Sequence, residues 1–269
     1  MDLLIDDAAD PDPSGVSLRI DGACALLTLE RPEKANAMDR QARRALLDRL
    51  SEAQDCRVVI VTGAGRHFCS GIDLKERDRD MAEGDHSAFG EWAEVILAVR
   101  QHPAVFIAAV NGTALGGGLT LVNGCDLALA AEDATFGMPE LGFGVYPALA
   151  GPSTQITLSR KRAAWMILTT DRVGAAEALG WGLINRVTSR EVLLQDAVTL
   201  GRRIAGFDAD AITASKRALD LIPSAISDWR QAFAYGDLAN AGIRAASTRA
   251  SKPAAPRSTT DIDKTREPG

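Results

Sequence analysis

The sequence predicts an α/β fold in which helices pack against the outside of β-strands. Short apolar runs, such as 57–62 and 105–110, alternate with segments of helical periodicity. This alternation is typical of strands covered by helices. Helical periodicity then dominates the chain from residue 191 onward. We expect this helix-rich final third to form either a cap on the α/β body or an oligomerisation surface.

The N-terminal region predicts a disordered lead-in followed by a β-hairpin. Residues 1–15 contain five aspartates and two prolines, a composition that does not favour a packed structure. The apolar runs 16–20 and 23–29 flank Asp21-Gly22. Asp-Gly between two such runs is a strong signal for a tight turn. The folded part of the chain should therefore begin at about residue 16.

A helix, a strand and a loop should follow the hairpin. We predict that Asp39 caps the helix, because the apolar residues behind it fall on one face. These residues are Ala42, Ala45, Leu46 and Leu50. Residues 57–62 form an apolar run typical of a buried strand, and 63–71 form a glycine-containing loop. Residues 75–90 are charged and lack periodicity, so we expect an irregular, mobile surface segment there.

The central region repeats the order of helix and strand. An amphipathic helix is predicted at 91–100, and it should end before Pro103. A strand at 105–110, a short helix at 119–123 and a strand at 127–131 follow. These elements complete the predicted α/β core.

Helices dominate the rest of the chain. The predicted helices span 163–170, 175–179, 191–206, 209–221 and about 227–250, with a short strand at 184–187. Residues 251–269 have almost no apolar side chains, so we expect a disordered tail. We therefore divide the chain into a lead-in (1–15), an α/β core (16–200), a helical C-terminal region (201–250) and the tail.

The composition argues against several classes of function. A formal net charge of −6 disfavours binding to nucleic acid or to an anionic membrane surface. No apolar run reaches the roughly 20 residues that span a bilayer, and the N-terminus lacks the pattern of a signal peptide. We therefore expect a cytoplasmic protein without membrane association. The four cysteines show no CxxC spacing and the chain has three histidines, which disfavours a metal site.

Three consecutive glycines, Gly116, Gly117 and Gly118, lie between a predicted strand and a predicted helix. A helix that begins this way presents free backbone N–H groups and a partial positive charge. The Gly-Lys-Ser/Thr ending of a P-loop is absent, whereas a carboxylate, Glu140, follows the next strand. We therefore expect stabilisation of an oxyanion rather than nucleotide binding. Close packing of helix against strand is the alternative reason for the glycines.

Five segments in a fixed order carry a family resemblance: RPEKANAM, FCSGIDLKE, AAVNGTALGGG, ATFGMPELGFGVYP and DRVGAAEALGWGLINRV. Together they resemble the crotonase superfamily, the enoyl-CoA hydratase/isomerase proteins, from about residue 16 to residue 216. The resemblance implies a crotonase-like spiral of ββα units with a helical C-terminal region that builds homotrimers, often stacked into hexamers. It also implies an acyl-CoA thioester substrate and no metal or redox cofactor, the coenzyme A being part of the substrate.

The resemblance also suggests which residues bind the substrate. By position in the family motifs, the backbone amides of Ile72 and Gly117 would bind the thioester oxygen as it becomes an enolate oxygen. Removal of one such donor typically costs about 3 kcal/mol. The CoA moiety would lie along Lys34, Ala35 and Ala37, and along Ile72, Asp73, Leu74 and Lys75. The two lysines could help to neutralise phosphates, with ordinary surface charge as the alternative.

Family hydratases use two glutamates, and this chain matches only the second position, with Glu140. Thr120 occupies the first position. A hydroxyl cannot act as a general base near neutral pH, although it can position a water. The apolar residues after Glu140 favour a buried carboxyl with a raised pKa, so we predict Glu140 as the single base. Tyr146 could orient a phenolic substrate, or it could pack with its hydroxyl at the rim.

Double-bond isomerisation is the preferred interpretation, because one base can take a proton from one carbon and return it to another. Hydration is an alternative in which Thr120 positions the water. In the hydroxycinnamoyl-CoA hydratase-lyase branch, which this chain resembles at Thr120 and Glu140, retro-aldol cleavage would follow. A non-catalytic acyl-CoA-binding subunit is an alternative of another class.

Overall fold

The computed structural model describes residues 12–250. The strands in this range are β1 (Val16–Asp21), β2 (Cys24–Leu29), β3 (Val58–Gly63), β4 (His67–Cys69), β5 (Val105–Val110), β6 (Thr113–Leu115), β7 (Leu127–Ala131), β8 (Thr135–Gly137), β9 (Val173–Gly174) and β10 (Arg186–Thr188). The helices are α1 (Arg40–Glu52), α2 (Leu74–Ala82), α3 (Ala88–Gln101), α4 (Gly117–Gly124), α5 (Ala150–Thr157), α6 (Arg160–Thr169), α7 (Ala175–Trp181), α8 (Arg190–Ala205), α9 (Ala209–Ala225) and α10 (Trp229–Ala250). The predicted tail and most of the predicted lead-in lie outside the described residues.

The strands form two sheets of mainly parallel strands. The larger sheet has the order β1-β2-β3-β5-β7-β10, in which β1 runs antiparallel to β2 and the other neighbours are parallel. The smaller sheet has the order β4-β6-β8-β9, in which β8 and β9 are antiparallel. Along the chain, β3 is followed by β4, β5 by β6 and β7 by β8, and a helix follows each pair. These ββα units confirm the predicted fold class.

Several local predictions are confirmed. β1 and β2 pair antiparallel around the turn at Asp21-Gly22. The Asp39 side chain accepts a hydrogen bond from the amide of Ala42 (2.9 Å) and caps α1. Residues 58–61 of β3 are fully buried, as expected for a parallel strand covered on both faces.

The prediction of an irregular segment at 75–90 is wrong, because most of this segment lies in α2 and α3. Asp73 caps α2: its Oδ1 accepts hydrogen bonds from the amides of Lys75 (3.1 Å) and Glu76 (3.3 Å). The predicted loop at 63–71 likewise contains a short strand, β4. The predicted helix at 119–123 is longer, since α4 already begins at the second glycine of the triad.

Ion pairs connect α1, which is distant in the sequence, to α2 and to the start of α3. Arg43 of α1 is 1% exposed and contacts Glu76 of α2 (3.2 Å) and Glu91 of α3 (2.8 Å). Arg40 of α1 contacts Asp85 (2.7 Å) and again Glu91 (3.1 Å). A guanidinium with several carboxylate partners fixes their relative geometry. The helix α1 therefore holds a segment whose own sequence shows no apolar periodicity.

Contacts along the chain define two compact units, of which the first ends at Lys216. The second unit contains the rest of α9 and α10. Within the first unit, Lys216 Nζ lies 3.0 Å from Asp126 Oδ2, which also accepts a hydrogen bond from the amide of Phe106 (2.8 Å). Asp126 thus has a structural role, because it binds the Lys216 ammonium and the backbone of β5. No helix among the described residues is long and apolar enough to cross a membrane.

Candidate active site

Two loops that the resemblance assigns to CoA binding run side by side. The amide of Met38 donates to the carbonyl of Gly71 (2.8 Å), and the amide of Asp73 donates to the carbonyl of Met38 (3.1 Å). The structure thus brings together the segments 34–38 and 72–75, which lie far apart in the sequence.

The side chains of these loops differ in exposure. Lys34, Leu74 and Lys75 are exposed, whereas Ala37 is buried. Ala35 adopts a left-handed backbone conformation (φ 51°) at the end of a short 3-10 turn, Pro32–Lys34. Both lysine side chains are therefore free to meet a ligand along the paired loops.

Arg31 and Asn36 hold the first loop in place, and our sequence analysis did not identify either. Arg31 forms ion pairs with Asp39 (2.8 Å) and Asp73 (3.5 Å). Asn36 is 1% exposed and donates from Nδ2 to the carbonyl of His67 (2.7 Å). Both residues lie in the motif RPEKANAM, but Asp73 and His67 are more than thirty residues away from them, so no local signal marks these contacts.

Glycine is required where the loop that carries Ile72 meets the start of α4. Gly71 has φ +92°, and a Cβ added there would lie 2.8 Å from the amide nitrogen of Gly117 and 3.0 Å from the carbonyl oxygen of Leu115. An L-residue rarely adopts such a conformation. Gly71 therefore lets the loop that carries Ile72 pass directly against the start of α4.

The glycines of α4 also have close neighbours. A Cβ added to Gly118 would lie 2.0 Å from the carbonyl oxygen of Cys69, and one added to Gly117 would lie 2.8 Å from Trp92 Nε1. The buried Trp92 indole donates to the carbonyl of Gly117 (3.2 Å). Close packing is thus a second reason for the glycines, beside exposed amides at the helix start.

The Glu140 carboxylate lies against Gly116. A Cβ added to Gly116 would lie 2.7 Å from Glu140 Oε1. Glu140 begins a 3-10 turn, and its Oε2 is buried without a hydrogen-bond partner among the described residues. Burial raises the pKa of the Glu140 carboxyl, as predicted. Such a carboxylate can accept a proton near neutral pH.

Thr120 approaches the same glycine from the next turn of α4. Its side chain is 3% exposed, and its hydroxyl donates to the carbonyl of Gly116 (3.2 Å). Gly116 therefore has the Glu140 carboxylate on one side and the Thr120 hydroxyl on another.

Tyr146 lies beside α5. Its hydroxyl accepts a hydrogen bond from Gln155 Nε2 (3.1 Å), and a Cβ added to Gly151 would lie 2.9 Å from the same oxygen. The Tyr146 side chain is 55% exposed. These contacts match the rim packing that we weighed against a substrate contact.

The comparison with known proteins identifies the family. The family model described as Enoyl-CoA hydratase/isomerase matches residues 19–229. The chain belongs to the enoyl-CoA hydratase/isomerase family. This finding confirms the resemblance that the five motifs indicate, and it makes the chain an enzyme of that family.

Relatives and solved structures agree with this family. Mevalonyl-coenzyme A hydratase sidH of Aspergillus fumigatus is 34% identical over 236 residues, which cover 82% of this chain and 87% of that protein. The crystal structure of enoyl-CoA hydratase from Bacillus anthracis matches with a TM-score of 0.79 and 29% identity, over 88% of this chain and 93% of that one. The crystal structure of human enoyl-CoA hydratase domain-containing protein 3 matches with a TM-score of 0.78 and 26% identity, over 87% of this chain and 98% of that one.

Proposed function

We propose that this enzyme abstracts a proton from the carbon next to the carbonyl of an acyl-CoA thioester. Glu140 is the base, and the backbone amides of Ile72 and Gly117 bind the enolate oxygen that forms. The observation that carries the proposal is the Glu140 carboxylate, whose Oε1 lies against Gly116 just before α4 and whose buried Oε2 has no hydrogen-bond partner among the described residues. Two amides aimed at a developing oxyanion supply several kcal/mol, and the start of α4 adds a partial positive charge.

Double-bond isomerisation is the reaction that we favour. The Glu140 carboxylate takes a proton from C2 of a 3-enoyl thioester, and the electron pair moves to the thioester oxygen. The protonated Glu140 then returns the proton to C4, which leaves a 2-enoyl thioester. One carboxylate is enough for both steps, and the hydroxyl hydrogen of Thr120 is already donated to Gly116.

Hydration of an enoyl-CoA is the second candidate, because hydratase names dominate among the relatives. The sidH relative carries the name of a hydratase of mevalonyl-coenzyme A. In this reaction the lone pairs of the Thr120 hydroxyl would accept a hydrogen bond from the attacking water. Retro-aldol cleavage after hydration would make the enzyme a lyase. A third candidate, of another class, is a subunit that binds acyl-CoA without turnover.

Assays in deuterated water separate these candidates. We expect the protein to convert a 3-enoyl-CoA into its 2-enoyl isomer, with deuterium entering at C4 to the extent that the protonated Glu140 exchanges with the solvent. Formation of a 3-hydroxyacyl-CoA from crotonyl-CoA would favour the hydratase instead. Binding of both thioesters without exchange, migration or hydration would contradict the catalytic proposal and leave the binding subunit.

The substrate-binding part of the proposal rests on the paired loops. The exposed Lys34 and Lys75 would neutralise phosphates of CoA, with Ala35, Ala37, Asp73 and Leu74 along the same surface. The proposal needs no metal or redox group, since the proton transfers use the carboxylate alone. We also propose that the enzyme is located in the cytoplasm.

We further propose that the enzyme assembles as a homotrimer or as a hexamer of two trimers. Large apolar side chains are exposed on α5 and α6: Ile156 at 87%, Trp165 at 52% and Leu168 at 69%. Exposed apolar groups of this size often mark association surfaces. Light scattering on the purified protein should therefore give three or six times the mass of one chain. A mass of one chain would contradict the assembly.

A further inference from the structure

The peptide group that joins Gly116 to Gly117 contacts Thr120 at its carbonyl end. Its carbonyl oxygen, on Gly116, accepts two hydrogen bonds from the same residue: one from the amide of Thr120 (3.0 Å) and one from the Thr120 hydroxyl (3.2 Å). Its N–H group, on Gly117, is the donor that we assign to the enolate oxygen. Thr120 therefore contacts the opposite end of the peptide that would bind the oxyanion.

We infer that Thr120 is a positioning residue for the oxyanion-binding amide, in that its hydroxyl orients and polarises the Gly117 N–H through the Gly116 carbonyl. This inference rests on the proposed function, because it needs Gly117 to bind the thioester oxygen. It assigns Thr120 a role that differs from holding a water.

Polarisation follows from the electronic structure of the peptide. Resonance links the carbonyl oxygen to the nitrogen of the same peptide. A donor at the oxygen therefore withdraws electron density from the nitrogen and makes its N–H a stronger donor. Hydrogen bonds in such chains strengthen one another by about 10–30% each. Thr120 is 3% exposed, so little water competes for the Gly116 carbonyl.

The Gly116–Gly117 peptide needs a restraint on its orientation because both of its residues are glycines. A peptide between two glycines has more conformational freedom than any other, and Gly116 has φ 50° and ψ −114°, outside the helical region. The first turn of a helix also lacks hydrogen-bond partners for its N–H groups. The second hydrogen bond from Thr120 restrains this peptide in the orientation that exposes the Gly117 N–H.

The hydroxyl is suited to this role and a carboxylate is not. A carboxylate has no proton to donate to a carbonyl near neutral pH, whereas a threonine hydroxyl can donate to the carbonyl four residues earlier. The same type of bond occurs at an exposed site in α8, where the Thr199 hydroxyl donates to the carbonyl of Gln195 (2.8 Å). Thr199 therefore offers a matched control.

The test compares Thr120→Val, Thr120→Ser and Thr199→Val. The first reading is the rate at which butyryl-CoA exchanges its α-protons in deuterated water, a reaction that adds no water to the substrate. We expect Thr120→Val to lower kcat for exchange roughly three- to tenfold, with KM nearly unchanged. Thr120→Ser and Thr199→Val should keep the parent rate. If Thr120→Val does not fold, Thr120→Ala replaces it.

The second reading is the absorption maximum of bound cinnamoyl-CoA, which moves to longer wavelength when the thioester carbonyl is polarised. We expect the shift to be smaller with Thr120→Val than with the parent or with Thr120→Ser. The same order should hold when each of the three proteins also carries Glu140→Gln. An unchanged shift and exchange rate, or loss of hydration alone, would overturn the inference. If the parent shows the shift but no exchange, and Thr120→Val reduces the shift, the base assignment fails while the role of Thr120 stands.

Discussion

Replacing Glu140 with glutamine is expected to lower the turnover of an acyl-CoA substrate by roughly 10²–10⁴-fold, the usual contribution of a general base. Glutamine keeps the shape of the side chain but cannot accept the proton. The binding of CoA should change little, because the paired loops at 34–38 and 72–75 lie on other elements. Steady-state kinetics and a CoA binding titration measure the two effects separately.

The pH profile of the parent enzyme should carry the signature of the same carboxyl. Burial raises the pKa of Glu140, and the proposed base is active only when it is deprotonated. We therefore expect the acidic limb of kcat/KM to lie above the usual range for a glutamate, and activity should fall as the pH drops through the raised pKa. A limb at the ordinary pKa of about 4.3 would contradict the burial of this group.

Stability measurements guard against a trivial loss of activity. A carboxyl whose pKa is raised on folding favours the folded state at low pH, and this contribution is lost as the pH rises through the raised pKa. Glu140→Gln removes the buried charge that destabilises the parent at high pH. The melting temperature of the variant, relative to that of the parent, should therefore be no lower at pH 8 than at pH 4. Glu177→Gln, at an exposed position of α7, is the matched control and should be active. Unchanged turnover in Glu140→Gln would remove Glu140 as the base.

Local signals are sufficient to predict much of the fold. The tight turn at Asp21-Gly22, the cap at Asp39 and the buried strand at β3 all depend on residues close in sequence. The segment 75–90 is different, because its helices are held by Arg40 and Arg43 of α1. Those partners lie more than thirty residues away, and no periodicity within the segment reports them.

The candidate site likewise combines features that the local sequence predicts with features that it does not. The motifs identify Glu140, Ile72 and Gly117 as candidates. The pKa of Glu140 is raised as predicted, although Leu141 and Phe143, the apolar residues on which that prediction is based, are themselves exposed. The identity of Thr120 is visible in the sequence, but the direction of its hydroxyl is not. The need for glycine at position 71 is also invisible, since it depends on where the loop crosses α4.

Replacing Gly71 with alanine should therefore reduce activity through geometry alone. The added Cβ would lie 2.8 Å from the amide nitrogen of Gly117, closer than unbonded carbon and nitrogen atoms normally approach. The loop must move away from α4, which would carry the Ile72 amide away from the oxygen that we propose it shares with the Gly117 amide. Loss of one donor from such a site lowers kcat by about 10²–10³-fold.

Backbone strain has to be separated from this effect. Gly71 has φ +92°, so alanine also costs about 1–3 kcal/mol of stability at this position. Gly182 provides the control, because it has φ +81° and no atom within 4 Å of an added Cβ. We expect Gly182→Ala to lose the stability that backbone strain alone costs. Gly71→Ala should lose more in chemical denaturation, because its Cβ also meets backbone atoms of Gly117 and Leu115.

Only Gly71→Ala should also lose kcat and the polarisation of bound cinnamoyl-CoA. Equal activity in the two variants would mean that the Ile72 amide does not share the oxyanion with Gly117. The enolate would then depend on the start of α4 alone, where the Thr120 hydroxyl supports the amide of Gly117.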